Sequence, residues 1–210
     1  IFVSHNMHAV KTLCPKSILL KDGMLIDIGE TNDVISNYLD INTNSGTTNN
    51  FDPESIRSYS DVSFQLLNLN ITQKGAQKIV FNTNESIEIE IAYRIKEPVK
   101  GVRVYFDILD NSGNLIIRSF NDEHVSAIPT LGPGNYSSKA ILPKNLFAPK
   151  GYYLSISATI HNERNCLGGE PLTFLLSFES NSVINMAYRD TVRSLIQPEI
   201  NWSNAKLEEL

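Results

Sequence analysis

Between Glu85 and Phe120 apolar and polar residues alternate with a period of two. Ile87, Ile89, Ile91, Tyr93 and Ile95 are separated by Glu88, Glu90, Ala92 and Arg94, and Val102, Val104, Phe106 and Ile108 by Arg103, Tyr105 and Asp107. A pleated strand with one buried and one wet face has this pattern. The stretch from Glu97 to Gly101, with Pro98, and the stretch from Asp110 to Asn114 supply tight connections, and Leu115 to Phe120 makes a third strand. Three consecutive antiparallel strands are the expected nucleus of an all-β domain.

The alternation recurs on both sides of this nucleus. Val62 to Ile71, Ile79 to Phe81, Tyr136 to Leu142 and Gly151 to Ile160 read as strands, and Leu172 to Phe178 as a central one. In the Gly151 strand Tyr152, Leu154, Ile156, Ala158 and Ile160 are expected inward, with Tyr153, Ser155, Ser157 and Thr159 outward. Eight or more strands with turn signals about every ten residues predict an antiparallel β-sandwich of jelly-roll or immunoglobulin-like type.

The first 39 residues have a different rhythm. Ile1 to Ser4 reads as a buried strand, His5 to Cys14 as a helix stopped by Pro15, and Ser17 to Leu20 with Met24 to Gly29 as a hairpin about Lys21-Asp22-Gly23. Thr31 is the expected N-cap of a helix from Asn32 to Leu39. This small α/β unit is too short to fold alone. Residues 40–61, rich in Asn and Thr and poor in apolar side chains, are expected to form a flexible linker. The organisation expected is therefore 1–39, linker 40–61, sandwich 62–203 and tail 204–210.

Composition narrows the function classes. A net charge of −5 without a basic run argues against nucleic acid and membrane-surface partners. No apolar stretch is long enough to span a bilayer, and the opening residues lack the pattern of a signal peptide. The start within a strand and without Met predicts a piece of a longer polypeptide. Cys14 and Cys166 lie far apart and are expected as two reduced thiols, with no metal site nearby.

Phe2-Val3-Ser4-His5-Asn6-Met7, Lys21-Asp22-Gly23-Met24-Leu25, Gly29-Glu30 and Val34 to Leu39 together resemble the C-terminal end of an ABC-transporter ATPase domain. That resemblance implies that His5 is the switch-loop histidine serving the γ-phosphate in an intact ATPase that uses ATP and magnesium. The phosphate-cradling Gly-Lys-Ser/Thr loop and an Asp-Glu strand end are absent from the sequence, so no enzyme activity and no cofactor are expected of the chain itself.

Phe106 to Asn114, Leu131-Gly132-Pro133-Gly134-Asn135-Tyr136 and a late Trp202 after Pro198, behind a sandwich, resemble the C-terminal domain of the ATP-binding subunits that export O-antigen polysaccharide. The resemblance implies recognition of the modified non-reducing end of an O-polysaccharide. It also implies a homodimer formed by exchanging the last strand, around Tyr188 to Trp202, and a membrane-spanning permease as partner at the cytoplasmic face of the inner membrane.

Sugars present hydroxyls and weakly apolar faces, which aromatic platforms and planar hydrogen-bonding groups match. An anionic cap would add a need for arginine. The wet-face candidates are Arg94, Arg103, Tyr105, Arg118, Tyr153 and His161. If residues 87–96 pair with 102–109, Arg94, Arg103 and Tyr105 share a face. The competing expectation is a solvated face with ion pairs such as Glu90 to Arg103. Other expectations are a purely structural dimerisation domain and an exporter of teichoic acid or another polymer. A glycosidase is disfavoured because Asp107, Glu123, Glu163 and Glu170 give no sign of converging.

Overall fold

The computed structural model describes residues 2–3, 7–21, 23–42, 56–78, 80–168, 172–179, 194–198 and 200. His5, Tyr188 and Trp202, and with them the expected strand exchange, lie outside these residues. Four elements open the chain: α1 Met7–Leu13, the hairpin β1 Lys16–Lys21 with β2 Met24–Glu30, and α2 Thr31–Asn42. The expected first strand is not formed at Phe2 and Val3. Thr31 opens α2, but its hydroxyl is used to anchor the helix. It donates to the Cys14 carbonyl at 2.6 Å and lies 2.7 Å from Ser17 Oγ.

The remaining strands are β3 Phe64–Gln73, β4 Ala76–Gln77, β5 Val80–Asn82, β6 Ile87–Ile95, β7 Val99–Lys100, β8 Val102–Leu109, β9 Leu115–Phe120, β10 Thr130–Leu131, β11 Gly134–Leu142, β12 Gly151–Ile160, β13 Arg164–Asn165 and β14 Leu172–Glu179. They build an antiparallel β-sandwich. One sheet has the order β11-β6-β3-β4 and the other β5-β14-β12-β8-β9, with β13 on β12. The pair β5–β14 alone among these runs parallel. Alternate residues of β6, β8 and β12 meet between the sheets, where Ile89, Ile108 and Leu154 are fully buried. Tyr93 stacks between Phe64 and Tyr136, at 5.3 and 5.7 Å between ring centres.

Residues 87–96 and 102–109 do not pair. β6 belongs to one sheet and β8 to the other. The short β7 in the connection pairs with β10 instead, and Gly101, at φ 77°, completes the crossover. Alternation states which face of a strand is buried; two strands on opposite sheets satisfy it as well as two neighbours do. Arg94 is thus separated from Arg103 and Tyr105. Nor does Glu90 meet Arg103: Glu90 accepts a hydrogen bond from Ser137 and pairs with Lys139.

Packing begins inside the stretch expected to be linker. Ile56 is buried in the core and Tyr59 packs against it. Asp61 then forms a clamp at one end of the sandwich, accepting from the amides of Ser63 and Phe64 and from Arg164 Nε at 2.7 Å. Arg164 also donates to Ser63 Oγ, which donates to Glu97. Near the chain's end, Tyr152 OH donates to the Leu195 carbonyl at 2.6 Å, and Phe147 bridges to Ile196.

The outward side of β12 is covered, against expectation. Tyr153, Ser155 and Ser157 are all buried. Ile35 of α2 and Tyr153 form a small second core with Tyr38 and Leu109. An apolar helix face resting on the sheet removes Tyr153 from water despite its place in the alternation.

Candidate ligand-binding site

Three of the six candidates meet on the outer face of β8 and β9. Antiparallel register sets Tyr105 opposite Phe120 and Asp107 opposite Arg118, with Asp122 continuing past the strand end to reach Arg103. Because side chains two residues apart share a face, these pairs form one ladder. Arg118 gives Asp107 two hydrogen bonds, from Nε at 2.7 Å and Nη2 at 2.6 Å. Arg103 Nε lies 2.8 Å from both oxygens of Asp122. Between them the Tyr105 and Phe120 rings are 4.8 Å apart. Arg103 Cζ sits 3.9 Å from the Phe120 ring centre and Arg118 Cζ 5.3 Å from that of Tyr105. Each guanidinium is thus held both by a carboxylate and over a ring face.

This arrangement changes the chemistry expected of the arginines. Asp107 and Asp122 neutralise them, and the hydrogen bond to Asp107 raises the pKa of Arg118 further. A phosphate or carboxylate would meet guanidiniums whose charge an aspartate already balances. The ladder instead presents aromatic edges and planar polar groups with no net charge, which suits a neutral polyhydroxyl ligand.

The other candidates lie apart from the ladder. Arg94 is on the opposite sheet, where its Nε donates to Asn135 at 2.9 Å. Tyr153 is buried beneath α2. His161 is exposed at the turn after β12, and its backbone amide donates to the Gly101 carbonyl.

A cleft that single-strand patterns could not reveal lies beside the ladder. β9 and β11 each end their sheets on the same side of the sandwich, and between them opens a space of about 400 Å³. Its floor comes from inward residues of four strands, including Ile91, Val104, Ile117 and Leu142. Tyr105 and Phe120 line it too, so it adjoins the ladder. Asn121 Nδ2 donates across it to Ser138 Oγ at 3.2 Å, linking the two sheets. Phe120 was absent from the candidates because its place opposite Tyr105 is set by the β8–β9 register, which the pattern of one strand does not carry.

A family model described as the Wzt C-terminal domain matches residues 57–167. The chain belongs to that family. The Wzt C-terminal domain family is that of polysaccharide-exporter ATPase subunits, and its matched span holds β3 to β13 together with the ladder and the cleft. The fold is similar to the crystal structure of the C-terminal domain of wzt, with a TM-score of 0.52 at 11% identity, covering 70% of this chain and 87% of that one. Looser likenesses link it to a Niemann-Pick type C2 protein from Japanese carpenter ant and the CARDB domain of PF1109 from Pyrococcus furiosus. The first has a TM-score of 0.39 at 9% identity, covering 57% of this chain and 95% of that one. The second has a TM-score of 0.37 at 14% identity, covering 61% and 100%. No curated protein sequence matches the chain. Among the described residues no helix is long and apolar enough to cross a membrane, and no cluster of potential metal ligands occurs.

Proposed function

We propose that this Wzt-type domain holds the outer end of a surface polysaccharide, such as an O-polysaccharide, for an ABC exporter, with the glycan lying over β8 and β9. The observation that carries this reading is the convergence of Arg103, Tyr105, Arg118 and Phe120 on one face, beside a cleft. A sugar ring set against the aromatic pair gains from contact with its C–H faces, while unused guanidinium hydrogens and carboxylate oxygens can meet its hydroxyls. Recognition is non-covalent, and nucleotide chemistry is assigned to the ATPase parts of the subunit, with His5 in the switch-loop role only there. The permease, the inner membrane's cytoplasmic face and a homodimer through the last strand are the partners and location that belong to this reading.

Titration of the chain with the surface polysaccharide of its source cell tests the proposal. Saturable binding should weaken about tenfold when Tyr105 is replaced by alanine, the scale of one lost aromatic contact with its hydrogen bonds. Absence of saturable binding by the native chain would favour a structural dimerisation role.

A further inference from the structure

Resting on the reading that this domain binds a glycan, we infer that the cleft between β9 and β11 is a subsite for the acylamino group of an N-acetylated sugar residue. The two halves of an acetamide, a methyl group and a planar amide, match the two zones of the cleft. Its floor is apolar, formed by Ile91, Val104, Phe106, Ile117, Ala140 and Leu142. Bare hydroxyls forced onto that floor would lose water without gaining partners. A methyl group incurs no such cost and gains about fourfold in affinity from its burial.

The mouth is polar. Ser119, Asn121, Ser138 and His124 stand along it. Asn121 is fixed at both ends of its amide, accepting from the Val104 amide at 3.0 Å and donating to Ser138 Oγ at 3.2 Å. Ser138 Oγ also lies 3.4 Å from Tyr93 OH. A hydroxyl held in this way can turn to donate to, or accept from, an incoming amide.

Charge argues against an acidic ligand. Lys139, the one cation lining the cleft among the described residues, is engaged by Glu88 at 3.2 Å and Glu90 at 3.7 Å. Glu123, on the opposite rim, adds negative charge, and its Oε1 accepts from the Phe120 amide. The volume lies within the roughly 300–1,000 Å³ of small-molecule sites. Because Tyr105 and Phe120 border both places, a sugar over the ladder can send a substituent into the cleft while its ring stays outside.

The test compares N-acetylglucosamine with glucose, and N-acetylgalactosamine with galactose, by backbone amide shifts of the full chain. N-acetyl sugars should bind about tenfold more tightly, from one buried methyl and one added hydrogen bond, and should shift Ile117, Ser138 and Ala140. Ala140→Leu, which fills the floor, and Ser138→Ala, which changes only a hydroxyl, should each reduce that preference. Equal binding of each pair, or a preference that survives both substitutions, overturns the inference. So does competition by laurate, which would make the cleft an aliphatic-chain site. If polysaccharide binding persists without N-acetyl preference, only the cleft assignment falls; if no sugar or polysaccharide binds, the glycan reading falls with it.

Discussion

Arg118 and Asp107 face each other across β9 and β8 and share two hydrogen bonds, of 2.7 and 2.6 Å. The pair sets both the plane of the guanidinium over Tyr105 and the neutrality of the face. Asp107 is only 15% exposed with Arg118 over it, and removing that partner takes away two charge-assisted hydrogen bonds and the neutralising charge. Arg118→Ala should therefore weaken glycan binding about tenfold and cost about 1 kcal/mol of stability, a fall of about 2–4 °C in Tm. Arg118→Lys should not restore binding, because an ammonium cannot reproduce the two-pronged contact. Calorimetry and titration of both variants check this.

The clamp at Asp61 should govern the acid side of stability. Burial opposes ionisation of this carboxyl, but the hydrogen bond from Arg164 and the amides of Ser63 and Phe64 outweigh it, holding the pKa below that of an ordinary aspartate. A depressed folded-state pKa contributes stability above the unfolded value, lost as pH falls through the folded one. Asp61→Asn should thus be less stable than the native chain at neutral pH, with the gap narrowing below about pH 4. Urea melts across that range measure it; a gap independent of pH down to full protonation would count against the clamp.

On the alkaline side two buried groups act together. Burial pushes the Cys166 thiol up to about 12 and the Tyr152 hydroxyl to about 12. Both are then neutral in the folded chain while the unfolded chain ionises, so stability present below about pH 9 should fall as pH rises toward the folded values. Tyr152→Phe should flatten the upper part of this decline. It should also cost about 1 kcal/mol, because the hydroxyl's hydrogen bond to the Leu195 carbonyl is lost, leaving that carbonyl only the longer one from the Ala148 amide. In the native chain a thiol reagent should modify Cys14, which is partly exposed, far faster than Cys166.

The contact between Ile35 and Tyr153 fixes α2 to the sandwich. Ile35→Ala removes most of a side chain that is 2% exposed, and such core truncations cost about 2–5 kcal/mol locally. Amide exchange in α2 should accelerate, while β3, β6 and β8 keep their protection. Equal acceleration throughout would mean that helix and sandwich unfold as one unit.

Strand positions, and the buried faces of β6 and β8, were legible from residue patterns because a period of two is a local property. The strands beginning at Ile87, Val102, Leu115 and Gly151 all form where the alternation places them. Sheet membership was not legible. Ile95 and Val102 are separated by a short connection, and nothing local says whether that connection turns a hairpin or crosses the sandwich; β7 pairing with β10 decides it. For this reason Arg94 was grouped with Arg103 and Tyr105 and proves to be on the other sheet. Tyr153 misled for a different reason, since the helix that buries it lies more than a hundred residues earlier in the chain. Arg103, Tyr105 and Arg118 were identifiable as wet-face residues, but their aspartate partners and Phe120 depend on the β8–β9 register. The cleft depends on two edge strands from different sheets, β9 and β11, ending side by side.

The most direct measurement is a calorimetric titration of the full chain with its source cell's surface polysaccharide, run alongside Tyr105→Ala and Arg94→Ala. The account predicts saturable binding that drops about tenfold in Tyr105→Ala and stays unchanged in Arg94→Ala, on the opposite sheet. Binding lost in Arg94→Ala but intact in Tyr105→Ala, or no binding by the native chain, would contradict it.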